Sequence, residues 1–294
     1  MTQTADAPPL PPPLPPSLDT NPNSSAPNRY GFFDLLDHRS VVGTGFYPEP
    51  FLVDEGDVDR EVAVTWSHQE GHHAVSDYVD AEIEWSFNQL TFELEAPYIR
   101  DYSDTPNSTG TKTADREEGI GPPSLSARYP LWEWVSQDNK IDNAIVPACE
   151  VAFPSNSRVG KTTEIVPAIF DLLRIGDHFG LQTHAGYSTL YGDDVNNLQT
   201  FEYSADFSYN IDSTQIPLPH QILALVPILE LAGERPLNHG DYNDNLTGVL
   251  GGRINLENLG PASPRLGVGY ILPLDKGARQ DFSWGIVVSL VFDL

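Results

Sequence analysis

Cationic residues are scarce in this chain. Its 294 residues include 16 lysines and arginines against 42 aspartates and glutamates, for a net charge of -26. Phosphate binding needs a basic face, so nucleic acid is excluded as a partner. Cysteine is nearly absent: Cys149 stands alone, which rules out an intramolecular disulfide, a zinc ribbon and any CxxC or CxxCH haem attachment. Long apolar runs are missing too. Nothing approaches the ~20 residues of a spanning helix, so any membrane crossing must be made with strands. No GxSxG nucleophile elbow occurs, and Val159-Gly160-Lys161-Thr162-Thr163 lacks the upstream glycine of a phosphate loop. The N-terminal Met1-Thr-Gln-Thr-Ala-Asp6 has neither the cationic region nor the apolar core of a signal peptide. The expectation is a start methionine placed on a mature, exported sequence from which the signal has been removed.

Proline is plentiful, and it is concentrated near the start. Residues 7–28, with Pro8-Pro9-Leu10-Pro11-Pro12-Pro13-Leu14-Pro15-Pro16, bury too little apolar area to fold. Residues 1–29 therefore read as a disordered proline-rich tail: a solvated linker, or else a spacer or PxxP-type docking site that could engage another envelope protein. Residues 30–60, with Tyr30-Gly-Phe-Phe-Asp-Leu-Leu36 and Phe46-Tyr-Pro-Glu-Pro-Phe51, read as an N-terminal periplasmic segment or a plug.

Residues 61–294 carry the strongest pattern, and the C-terminus shows it best. Phe282, Trp284, Ile286, Val288, Leu290, Phe292 and Leu294 share one face, while Ser283, Gly285, Val287, Ser289, Val291 and Asp293 share the other. A two-residue period with aromatics near both ends is the unit of a transmembrane β-barrel. The same rule marks roughly twelve strands, at 61–68, 75–87, 90–98, 124–133, 143–153, 163–174, 179–189, 200–210, 221–231, 246–256, 264–272 and 282–294. The predicted fold is all-β: a transmembrane antiparallel up-and-down barrel whose even strand number returns both ends of the chain to one side. Asn88-Gln89 and Gly176-Asp177-His178 read as short inner turns. The polar stretch 99–123 reads as a long outer loop, as do 190–199 and 232–245.

Acids fall opposite the apolar rows. Glu82 and Glu84 face away from Ile83 and Trp85; Glu93 and Glu95 from Phe92 and Leu94; Glu202 and Asp206 from Phe201 and Phe207. A charge facing lipid at the bilayer midplane costs about 2–4 kcal/mol for the worst residues, so these acids must line an interior. Glu230 joins them by the same counting, and so do Arg128, Arg253 and Arg265. Two readings stay open. The acids give a lumen that favours cations, or they form a salt-bridge ladder with the arginines that fills a narrow barrel.

Glu82-Ile-Glu-Trp-Ser-Phe87 followed by Leu90-Thr-Phe-Glu-Leu-Glu-Ala-Pro-Tyr98 resembles a strand, turn, strand and Pro-Tyr of a known family: outer-membrane transporters of the meta-pathway phenol-degradation type. The similarity continues in Val146-Pro-Ala-Cys-Glu-Val-Ala-Phe-Pro154, Arg158-Val-Gly160 and Leu266-Gly-Val-Gly-Tyr270, and covers about residues 75–294. The resemblance implies a pore-like barrel and, loosely, uptake of small organic molecules.

Other chemistry is thin. His68 with Gly71-His72-His73 offers imidazoles for a transition metal, yet in an outer loop beside no fixed acid. Asp54-Glu-Gly-Asp-Val-Asp59, Gly192-Asp-Asp-Val-Asn-Asn197 and Asp241-Tyr-Asn-Asp-Asn245 offer oxygen ligands of the kind calcium takes, without the EF-hand pattern. His184, with Gln182 and Ser188, reads as a hydrogen-bonded interior histidine, and Cys149 as a small lipid-facing residue. No metal, cofactor or catalytic residue is assigned. The expectation is an outer-membrane channel or transporter for small solutes, embedded in the lipid bilayer and without enzymatic activity. The alternative is a non-conducting scaffold barrel that engages another envelope protein through its acidic loops or tail.

Overall fold

The computed structural model describes residues 49–53, 55–57, 60–87, 90–106, 112–136, 140–155, 157–192, 195–238 and 244–294. Alternation of side chains drives these residues into sixteen strand segments. In chain order they are β1 Arg60–Glu70, β2 Ala74–Phe87, β3 Leu90–Glu95, β4 Tyr98–Pro106, β5 Lys112–Ile120, β6 Ser124–Arg128, β7 Trp132–Val135 and β8 Ile141–Ala152. They continue with β9 Thr163–Ile175, β10 Phe179–Gly192, β11 Val195–Tyr209, β12 Ile211–Asp212, β13 Ile222–Pro236, β14 Asn245–Leu256, β15 Ser263–Pro273 and β16 Trp284–Asp293. Among the described residues a short helix, α1 Ala278–Asp281, precedes β16.

The sheet closes on itself, because β1 pairs antiparallel with both β2 and β16. Several segments lie end to end. β3 and β4 both pair with β2; β5, β6 and β7 follow one another along β4, β3 and β8; β11 and β12 both pair with β13. The result is a closed antiparallel barrel of twelve staves with up-and-down connections. Closure removes the open sheet edges that would otherwise leave backbone donors and acceptors unpaired.

The two-residue period sorts the faces. In β16 the row Gly285, Val287, Ser289, Val291 and Asp293 is buried inside, while Leu290 on the alternate row is exposed. The outer wall is apolar over its middle, where Leu250, Val268, Ile83 and Leu229 stand in the open. Exposed aromatics band both ends: Phe87, Trp132, Trp134 and Tyr209 near the end where the chain enters and leaves the barrel, and Trp66, Tyr187 and Tyr270 toward the other. An apolar wall between aromatic girdles suits hydrocarbon between two water interfaces. No helix among the described residues is long and apolar enough to cross a membrane.

The connections differ from expectation at the outer end. β10 runs to Gly192 and β11 begins at Val195, with Leu190 opposite Leu198, so the predicted loop 190–199 is mostly paired strand, and β13 runs on to Pro236 inside the predicted loop 232–245. The stretch 99–123 is not a loop: β4 and β5 form a hairpin in register from Tyr98↔Ile120 to Pro106↔Lys112. Arg100 and Asp101 on β4, and Asp115, Arg116, Glu117 and Glu118 on β5, make both faces polar, so the pattern carries no alternation to read. The predicted 90–98 strand is also broken: β3 ends before Ala96-Pro97, whose ring has no N–H for the ladder. The tight turn after β9 is as expected, with Gly176 at φ 66°, a left-handed conformation that favours glycine. Asn88 and Gln89 lie outside the described residues.

Candidate functional site: the acidic inner wall

The inner wall brings like charges face to face. Glu82 pairs in register with Glu95 and Glu84 with Glu93, while Glu61 stands opposite Glu84 on the other side of β2. Across the ring Asp206 faces Glu230, and Glu202 faces Glu234. Carboxylates directly opposite one another destabilise a sheet, so each pair needs a counter-charge, a proton or a ligand. All ten residues singled out from the sequence lie on this inner face. Glu84, Glu93, Asp206, Glu230, Arg128, Arg253 and Arg265 are buried, and Glu82, Glu95 and Glu202 are half-buried.

The arginines do three different jobs. Arg128, on β6, reaches Glu93 at 2.6 Å and Glu55 at 3.4 Å, and it also bonds Glu84. Arg265 pairs with Asp293 at 2.5 Å near the end where the chain leaves the barrel. Arg253 donates to the Pro50 carbonyl at 3.0 Å, sits 3.9 Å from Glu49, and lies over the Phe51 ring at 4.9 Å from its centroid. Two of the three arginines therefore hold the same stretch of chain.

That stretch is residues 49–53 and 55–57, which lie in the barrel interior. The backbone N–H groups of Phe51 and Leu52 donate to the Glu230 carboxylate at 2.9 and 3.1 Å. Gly56 N–H reaches Gln182 at 3.4 Å, and Arg128 Nε donates to the Asp57 carbonyl at 2.7 Å. The Phe51 ring, buried within an apolar cluster with Val226, Ile228, Val249 and Val287, fits against a bare patch of β14 and β15. A Cβ on Gly267 would stand 2.8 Å from Phe51 Cε1, and one on Gly251 2.9 Å from its Cε2. Glycine at both positions makes room for the ring.

Beyond this segment lies a cavity of ≈440 Å³. Glu150, Glu164, Glu202, Glu234 and Asp281 border it, together with His184, Phe170, Tyr203 and Arg128. Ala278 and Phe282, beside the loop before β16, close one flank. Of these acids only Glu202 was singled out from the sequence; Glu234 and Asp281 lie outside the predicted strands 221–231 and 282–294. Glu150 stands alone among small apolar residues on the inner row of β8, with Ala144, Val146, Ala148 and Ala152, and Glu164 is the second residue of its strand.

The remaining candidates resolve individually. His184 makes no hydrogen bond among the described residues; its ring packs on Phe170 with centroids 4.8 Å apart, in place of the expected polar contact. Ser188 bonds Glu164, and no Ser-His hydrogen bond forms among the described residues. His68 and His73 are not free of acids as expected: Asp77 and Asp104 stand 2.9 Å from their Nδ1 atoms. The turn had hidden these partners, which are brought in by the β2 and β4 strands. Each imidazole has a different acid, and no group of three metal-competent side chains forms there among the described residues. Cys149 is exposed on the outer wall. Residues 1–48, with the proline-rich tail, lie outside the described residues, as do Asp54, Asp59, Asp193, Asp194 and 241–243 from the loops with calcium-type ligands.

No family model and no curated protein matches the chain, the phenol-degradation type included. Solved structures do match. An outer-membrane channel from Pseudomonas putida F1 is similar at 12% identity, covering 83% of this chain and 99% of that one, with a TM-score of 0.52. The NanC porin is similar at 10% identity over 79% of this chain and 98% of that one, with a TM-score of 0.46. At such identity the first likeness speaks for the closed-barrel fold.

Proposed function

We propose that the chain is an outer-membrane channel that passes or binds small solutes and prefers cations or basic organic molecules. The outer wall supports the membrane setting, since apolar side chains between aromatic bands are stable only against lipid. The observation that carries the solute preference is the ≈440 Å³ cavity, bordered by five carboxylates and one arginine. That volume is in the range that holds a small molecule, and clustered acids in a low-dielectric wall concentrate cations. Nothing in this role requires a bond to be made or broken.

In this reading residues 49–53 and 55–57 restrict the pathway, and the end where β1 starts and β16 finishes faces the periplasm. The test is the reversal potential of the full chain in planar bilayers across a salt gradient. A cation-selective potential is expected, reduced in the triple variant Glu150→Gln, Glu202→Gln, Glu234→Gln. Anion preference in the full chain would sink the proposal. A second reading, a non-conducting scaffold, is favoured by how firmly the interior segment is held. It gains if deletion of residues 1–57 leaves the barrel silent and a stoichiometric envelope protein co-purifies.

A further inference from the structure

We propose that Asp80, Glu82 and Glu95 form a calcium site on the inner wall, closed from the lumen side by Glu49. Carboxylate oxygens of Asp80, Glu82 and Glu95 all lie within 4.8 Å of one another, and Glu82 is shared with a second such group, Glu49, Glu61 and Glu82. Two oxygens bound to one Ca²⁺ at about 2.3–2.6 Å sit no farther apart than twice that distance, so the spacing is that of a shared ion. Strand geometry explains why they meet. Glu82 and Glu95 are register partners across β2 and β3, and Asp80 is two residues along β2 on the same face.

Two further observations point to a ligand there. A cavity of ≈100 Å³ lies against these groups, bordered by Asp80, Glu82, Glu95, Glu49, Thr65 and Tyr78. Asp80 is 7% exposed, yet its Oδ1 meets no hydrogen-bond donor among the described residues. A buried carboxylate oxygen without a partner is costly, and charges in that position are normally paired or bound to metal. The nearby arginines are committed elsewhere: Arg128 to Glu55, Glu84 and Glu93, and Arg253 to Pro50 and Glu49. Asp80, Glu82 and Glu95 meet no lysine or arginine at ion-pair distance among the described residues.

The chemistry selects the ion. All donors are oxygens, which excludes the ions that seek imidazole or thiolate. Magnesium keeps several of its waters and demands octahedral geometry, whereas calcium accepts an irregular shell of carboxylates. Glu49 belongs to the interior segment, so the ion would join that segment to the wall. The inference does not rest on conduction, and it is independent of the loops that the sequence offered for calcium.

Terbium luminescence tests it, because Tyr78 borders the cavity and can sensitise a bound lanthanide. The full chain in detergent, stripped with EDTA, is titrated with Tb³⁺ alone and then with Ca²⁺ as competitor. One saturable signal displaced by Ca²⁺ is expected, weakened at least about tenfold in Asp80→Asn and in Glu82→Gln, which each remove one charged ligand of a shared ion. Glu118→Gln, on the β5 hairpin, should leave it unchanged. Absence of a saturable signal in the unaltered chain overturns the proposal, and so does equal affinity in Asp80→Asn or Glu82→Gln. If a variant fails to fold, Glu95→Gln takes its place, and the titration of the unaltered chain decides in any case.

Discussion

Replacing Phe51 by alanine should loosen the interior segment without unfolding the barrel. The ring is 5% exposed, and Phe→Ala at a well-packed site costs about 3–5 kcal/mol. All of that falls on the equilibrium between docked and released segment, since the wall keeps its own hydrogen-bonded ladder. At about 1.4 kcal/mol per tenfold, the docked fraction relative to the released one drops by two to three and a half orders of magnitude. The remaining anchors oppose full release. Glu230 still accepts two backbone N–H bonds, each about 1.5–3 kcal/mol when the acceptor is charged. The expected outcome in planar bilayers is flicker between two conductance levels, with protease cutting within residues 49–57 that the unaltered chain resists. Gly267→Ala should do the same by obstruction, because its Cβ would lie 2.8 Å from Phe51 Cε1 and 2.5 Å from Ser289 Oγ, and only the hydroxyl can turn aside. Gly251→Ala differs, since its Cβ meets the Val268 carbonyl at 2.6 Å and strains the wall itself. A single unchanged conductance level and intact protease resistance in both Phe51→Ala and Gly267→Ala would refute the reasoning.

Other consequences are open to measurement. Arg128→Met should destabilise the barrel by about 3–5 kcal/mol in urea unfolding from micelles, since it strands buried carboxylates; adding Glu84→Gln and Glu93→Gln should recover a large part. Leu250→Arg, on the exposed middle of the outer wall, should cost about 2–4 kcal/mol on folding into bilayers, and a neutral result would deny that this face meets lipid. Cys149, exposed on the same wall, should resist a charged maleimide in bilayers yet carry a fluorophore that spin-labelled acyl chains quench.

Most staves were legible because a wall with oil outside and water inside imposes alternation on every strand that has both. Where both faces meet water, as in β4 and β5, the pattern vanishes, so the hairpin reads as loop. The acids on β2, β3 and β11 stood out against bulky neighbours such as Trp85, Phe92 and Phe207. Glu150 and Glu164 did not, because small apolar residues fill the inner face of β8 and strand ends carry too few positions to set a period. Contacts such as Glu230 with Phe51, or Arg128 with Asp57, depend on ring closure. They join residues far apart in the chain, and no local pattern encodes them.

The interior segment also has a mechanical consequence. It bonds to Arg253 on β14 at one end and to Arg128 on β6 at the other, and these staves lie halfway round the ring from each other. A thin-walled tube yields most easily by going oval, and a tie between opposite walls resists that mode. Lateral pressure in the bilayer would therefore stretch or slacken this tie, coupling the width of the tube to whether the segment stays seated.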